Sequence, residues 1–161
     1  MQRSSLSAHK KELKTLDAVP EFAHIKRGKL PKPLHTMGGP RVQATKLLPV
    51  SEKYSVWFMW KDGETIEETA FYGFLFAHVG MKGNLYPLCH MHWHPSHKLL
   101  HVKTPCDSDL DYTNRGLPGA KELHVNGGGK GFDPRDAQHR LQLIEIFCKV
   151  CGIRFGSGPL L

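Results

Sequence analysis

Between Cys89 and His94, histidines alternate with apolar side chains, and this alternation constrains the fold of the chain more than any other feature. Successive side chains of a β-strand point to opposite faces of the sheet. His90, His92 and His94 would therefore line one face, while Cys89, Met91 and Trp93 would line the other. The sequence predicts a strand with one histidine face and one apolar face.

The residues that follow repeat the same pattern in the opposite direction, as expected for a β-hairpin. If Pro95 and Ser96 form a tight turn, an antiparallel strand returns along the first one. The predicted cross-strand pairs are His94 with His97, His92 with Leu99, and His90 with His101. Lys103 lies farther along the same polar face. The predicted hairpin contains five of the eleven histidines of the chain.

Further strands are predicted on both sides of this hairpin. Aromatic and β-branched residues at 54–60 precede a turn at 61–64 and predict a first strand. The predicted second, third and fourth strands are residues 65–79, 85–94 and 98–103, and residues 122–125 are a candidate fifth strand. Residues 104–120 contain proline, glycine and aspartate and are expected to form a loop.

A C-terminal helix is predicted to cover one face of this sheet. Asp133, as a capping residue, followed by Pro134, is typical of a helix start, and Gly152 can end the helix. Apolar residues recur between them at helical spacing. The predicted fold is one α+β domain at 51–161, an antiparallel meander of four to five strands with an amphipathic C-terminal helix.

The first 50 residues form a second predicted region, a basic and largely extended arm. They carry ten Lys or Arg and three Asp or Glu, whereas residues 51–161 carry twelve of each. A cationic arm rich in Pro and Gly favours attraction to phosphates, so we expect a nucleic acid, most simply RNA, as partner; a protein partner is the alternative. The candidate nucleic-acid-binding residues are Lys26, Arg27, Lys29, Lys32, Arg41, Lys98 and Lys130.

The histidine face is compatible with a small ribonuclease that needs no metal. Imidazoles titrate near neutral pH, so two of them can remove the 2′-hydroxyl proton of a ribose and protonate the leaving oxygen. The candidate catalytic residues are His90, His92 and His101, with Lys103 stabilising negative charge.

A zinc-dependent hydrolase is the alternative interpretation of the same face. Two histidines at i and i+2 on one strand and a third on its neighbour, here His90, His92 and His101, can hold a zinc ion and leave a fourth position for water. Cys148 and Cys151 are a second, weaker candidate metal pair. A third possibility is a module that binds nucleic acid or protein without catalysis.

The sequence also indicates a cellular compartment for the protein. No segment approaches the roughly 20 apolar residues of a membrane span, and the first residues do not form the apolar stretch of a secretory signal. The four cysteines do not have the spacing of a disulfide framework. We therefore expect a cytoplasmic protein with reduced thiols.

Overall fold

The computed structural model describes residues 6–25, 34, 38–81, 84–95, 99–104, 111–113 and 131–156. Within these residues the chain forms two α-helices, one short 3-10 helix at Ile66–Glu68, and ten β-strands. The helices are α1 (Leu6–Lys10) and α2 (Ala137–Cys151). The strands are β1 (Lys14–Leu16), β2 (Ala23–His24), β3 (Val42–Ala44), β4 (Leu48–Pro49), β5 (Tyr54–Lys61), β6 (Ala70–Val79), β7 (Asn84–His94), β8 (Leu99–Lys103), β9 (Asp111–Thr113) and β10 (Ile153–Phe155).

An antiparallel sheet of eight strands dominates the described structure. Its order is β2-β3-β5-β6-β7-β8-β9, and β4 pairs with the same edge of β5 as β3, farther along that strand. The predicted α+β class, the meander of β5 to β8 and the C-terminal helix are confirmed. The prediction of four to five strands is wrong because short strands of two or three residues extend the sheet, and so brief a segment has no recognisable periodicity.

One of these short strands lies in a segment that was expected to be loop. Residues Asp111–Thr113 form β9 and pair with β8, which places Thr113 opposite His101. Pairing of the backbone does not require a hydrophobic sequence, so the polar composition around β9 concealed it. The candidate fifth strand at 122–125 lies outside the described residues.

The first 50 residues differ from the extended arm predicted for them. Their described part contains α1 and four strands, of which β2, β3 and β4 belong to the main sheet. Strand β1 instead pairs in parallel with β10, and this joins the start of the described chain to its end. Proline and glycine in this region interrupt the regular structure without preventing it.

Helix α2 covers the apolar face of the sheet. The ring of Phe147 packs edge-on against Phe58 of β5, with centroids 5.1 Å apart, and Met91, Trp93 and Leu100 contribute to the same core. The N-cap is Asp136, whose side chain accepts a hydrogen bond from the amide of Gln138, rather than Asp133 three residues earlier.

The helix ends as its sequence predicts. Gly152 is the C-cap, with a φ of 71° that favours glycine. A Cβ at this position would also collide with the backbone of Lys10 in α1. No helix in the described part of the chain is long and apolar enough to cross a membrane.

The opposite face of the sheet carries a second cluster in which aromatic residues adjoin the histidines. Trp57 of β5 lies beside Phe74 of β6, and Phe74 lies beside His90 of β7. Trp57 is fully buried, and Leu34 from the first third of the chain is buried in the same cluster. His90, His92 and His94, called the histidine row below, therefore extend a packed aromatic surface.

Candidate metal centre

The hairpin of β7 and β8 places the histidines on one face, as predicted, but with a different register. The pairs are His94 with Leu99, His92 with His101, and His90 with Lys103. The predicted pairs are wrong by two residues because four residues, not two, separate the strands. A shift of two preserves the face of every side chain, so the faces predicted from the alternation are correct. His97 lies outside the described residues.

Three imidazoles meet where this register brings the two strands together. One nitrogen from each of His92, His94 and His101 lies within 4.8 Å of the other two. The ring centroids of His92 and His101 are 5.1 Å apart, those of His94 and His101 5.4 Å, and those of His92 and His94 5.7 Å. His101 is buried, and the other two side chains are half-buried.

The three residues fit a metal ion of the size of zinc. Zinc–nitrogen bonds of about 2.0–2.1 Å in a tetrahedral site require nitrogens about 3.3 Å apart, so modest ring rotations would close the group. The Nε2 atom of His92 is buried without a hydrogen-bond partner. The Nδ1 atom of His101 lies 3.3 Å from the carbonyl oxygen of Leu99. Donation from this Nδ1–H would leave Nε2 as the ligand atom, the usual arrangement of a metal-bound histidine.

Burial keeps two imidazoles of the row uncharged. It lowers the pKa of His92 to about 3, with further contributions from the charges of His101, His90, His94 and Lys103. Burial also lowers the pKa of His90 to about 4, and the positive charge of Lys103 lowers it further. A neutral imidazole can give its lone pair to a metal, but it cannot supply a proton as a general acid at neutral pH.

Aromatic rings enclose the histidine row on its β6 side. Tyr72 contacts His92 and His94 edge-on, with centroid distances of 5.0 and 5.2 Å. Phe74 contacts His90 at 4.7 Å. Burial raises the pKa of the Tyr72 hydroxyl, which therefore stays protonated at neutral pH. These rings exclude water from one side of the site and strengthen electrostatic interactions there.

The structure brings together most of the residues predicted for the site, with one exchange. His92 and His101 belong to the group of three, whereas His90 is replaced in it by His94. The sequence placed His94 on the correct face, but the predicted register paired it with His97 at the turn. Lys103 lies on the same face, next to His90, and is exposed.

The predicted nucleic-acid-binding residues do not form a described surface. Arg41 is described, and its guanidinium lies 3.3 Å from a carboxylate oxygen of Glu64 and 3.7 Å from one of Glu68. Its charge is therefore partly balanced by two carboxylates. The others lie outside the described residues: Lys26, Arg27, Lys29, Lys32, Lys98 and Lys130.

Cys148 and Cys151 lie in the apolar core, where α2 packs on the sheet. Both are buried, as is Cys89 of β7. Burial raises the pKa of the Cys148 thiol to about 12, and that of Cys151 is also raised. Neither belongs to a group of potential metal ligands among the described residues. Both pack in this core as small hydrophobic side chains do.

Comparison with known proteins adds no assignment to this geometry. No protein-family model, curated protein or solved structure matches the chain. The function is therefore inferred from the chemistry of the site.

Proposed function

We propose that this protein binds a zinc ion through His92, His94 and His101 and uses it to activate water for hydrolysis. The observation that supports this most directly is the approach of three imidazole nitrogens to within 4.8 Å on one rigid sheet face. The ligands come from adjacent, hydrogen-bonded strands, so the backbone orders them before any metal arrives.

The donor set favours zinc over the common hard cations. Imidazole nitrogens suit zinc, copper, iron and nickel, whereas magnesium and calcium prefer oxygen ligands, and the group of three contains no carboxylate. Among the described residues the group has three ligands, and three protein ligands are typical of catalytic rather than structural zinc sites, which use four. The fourth position would bind water and lower its pKa to about 7.

A ribonuclease that works without metal is less well supported by the same geometry. Its general acid must carry a proton at neutral pH, and this requires a pKa near that pH. Burial lowers the pKa of His90 to about 4 and that of His92 to about 3. Both would be neutral, which suits metal ligation better than proton donation.

Elemental analysis of the purified, untagged protein tests the metal centre. We expect about one zinc per chain, which is retained on dialysis and removed by a strong chelator. The His101→Gln variant should lose the metal, whereas His24→Gln, in which the exposed histidine of β2 is replaced, should keep it. Absence of metal from the wild-type protein after zinc loading, or its retention in His101→Gln, would contradict the proposed centre.

Hydrolysis requires a separate measurement on the same samples. We expect the zinc-loaded protein to cleave a phosphate ester, to lose this activity in chelator and to regain it when zinc is restored. Cleavage that persists fully in chelator would instead support the acid–base ribonuclease.

A further inference from the structure

We propose that the ligand of this centre carries a phosphoryl group, held between the open metal position and a pair formed by His90 and Lys103. The inference rests on the proposed zinc site and adds the chemical class of its substrate. It concerns His90 and Lys103, which lie on the same sheet face but outside the group of metal ligands.

The spacing of the two pairs fits an oxyanion. His90 and Lys103 are cross-strand partners, and the next pair on the same face is His92 with His101. The ring centroids of His90 and His92 are 6.0 Å apart, with the rings inclined by 15°. A phosphoryl group with one oxygen on a metal and another accepting a hydrogen bond spans about 7 Å in total. The ring spacing is therefore of the size that one phosphoryl group can bridge between the metal and His90.

His90 presents a polar atom that lacks a partner. Its Nε2 is buried and makes no hydrogen bond, although buried polar atoms nearly always have one. Phe74 contacts this ring edge-on at 4.7 Å, so its surroundings on the β6 side are apolar. A ligand oxygen that accepts a hydrogen bond from Nε2 would satisfy this atom.

Lys103 contributes the charge that a phosphoryl group requires. Its side chain is exposed and lies on the face of the histidine row. With the open metal position and His90, it makes three points of recognition. Inorganic phosphate and phosphate monoesters have three or more terminal oxygens able to meet them, whereas a carboxylate has two, so the arrangement favours the tetrahedral anion.

Cobalt substitution provides a direct test, because the visible absorption of Co²⁺ reports changes in its coordination. The protein loaded with Co²⁺ is titrated with inorganic phosphate, phenyl phosphate and dimethyl phosphate, with acetate as the control anion. We expect phosphate to change the spectrum in a saturable way at concentrations at which acetate has little effect. Dimethyl phosphate that binds as tightly as phosphate would indicate a phosphodiester ligand, and preference for the other two would indicate a monoester or free phosphate.

Variants then assign the phosphate contacts. Lys103→Gln and His90→Gln should each weaken phosphate binding about 10- to 100-fold while leaving the spectrum without phosphate unchanged. Lys149→Gln, in which an exposed lysine of α2 is replaced, is the matched control and should bind phosphate normally.

The possible failures are distinguishable. If Co²⁺ does not bind, the zinc site itself is wrong. If Co²⁺ binds but acetate and phosphate act equally, or if Lys103→Gln and His90→Gln bind phosphate normally, the metal centre stands and the phosphoryl site is wrong.

Discussion

His92 and His101 face each other across strands β7 and β8, with ring centroids 5.1 Å apart and ring planes at 81°. Two ligands that are direct cross-strand partners keep their separation because the backbone hydrogen bonds of the hairpin fix it. His94 lies two residues beyond His92 on the same face and completes the group. The metal centre thus depends on strand register as much as on residue type.

Zinc affinity should distinguish His94 from His90 as the third ligand. We expect His94→Gln to weaken zinc binding by about 100-fold or more. Loss of a residue that only hydrogen-bonds to a metal ligand already weakens metal binding by about 10- to 100-fold, and loss of a ligand should cost more. His90→Gln should change the affinity by less than about 10-fold, because His90 lies outside the group. Competition with a zinc indicator measures both constants. Equal losses in the two variants would contradict the ligand set.

The sequence predicted the histidine face because side-chain alternation is a local property of a strand. Met91 and Trp93 pack in the core while His90 and His92 lie on the other face, as the alternation requires. The local pattern could not determine register, because shifts of two residues preserve it. Only the length of the connection between β7 and β8 decides whether His101 faces His90 or His92.

The short strands at the edges of the sheet could not be predicted from the sequence, for a different reason. Strands β2 and β4 each contain two residues, and β9 contains three. Such segments are too short to show periodicity, and they exist because a longer neighbour offers unpaired backbone groups. Whether the neighbour is close depends on the folded chain, so the sequence alone predicts the first 50 residues as a separate arm.

Thiol reactivity should report the burial of the cysteines. In a Cys106→Ser variant, which removes the cysteine outside the described residues, we expect no labelling of native protein by a thiol reagent at pH 8. A thiol with a pKa of about 12, as burial gives Cys148, is ionised in about one molecule in 10,000 at that pH. Labelling should appear only with denaturant. Rapid labelling of Cys148 or Cys151 under native conditions, located by peptide mass analysis, would contradict their packing in the core.

Gly73 of β6 should not tolerate a side chain. A Cβ there would lie 2.8 Å from the ring of Phe147, which packs across this strand from α2. Alanine ordinarily improves a strand relative to glycine, but overpacking costs about 1–3 kcal/mol. Gly73→Ala should therefore lower the free energy of unfolding by about that amount in urea denaturation.

A double variant tests the cause of that loss. Phe147→Leu removes the ring that the new methyl group would meet, at its own cost in stability. Gly73→Ala should then cost less in the Phe147→Leu background than in the wild type. The same cost in both backgrounds would mean that contact with Phe147 is not responsible.

Mild acid should destabilise the metal-free protein through the histidine row. Burial lowers the pKa of His90 to about 4 and that of His92 to about 3, whereas both have pKa values near 6.5 in the unfolded chain. Below pH 6.5 the unfolded state therefore binds protons that the folded state does not, and stability falls as the pH falls. Each histidine contributes about 1.4 kcal/mol per pH unit, so the two together remove about 4 kcal/mol by pH 5.

The contribution of His90 and His92 is isolated by a variant in which neither position can bind a proton. His90→Gln/His92→Gln should lose less stability than the wild type between pH 7 and pH 5, with urea unfolding measured in chelator so that metal release does not contribute. His24→Gln, which replaces an exposed histidine and leaves His90 and His92 in place, is the matched control. Parallel curves for the wild type and the double variant would show that neither imidazole is held neutral by the fold. The two histidines would then be solvated, and the buried site inferred from them would not exist in solution.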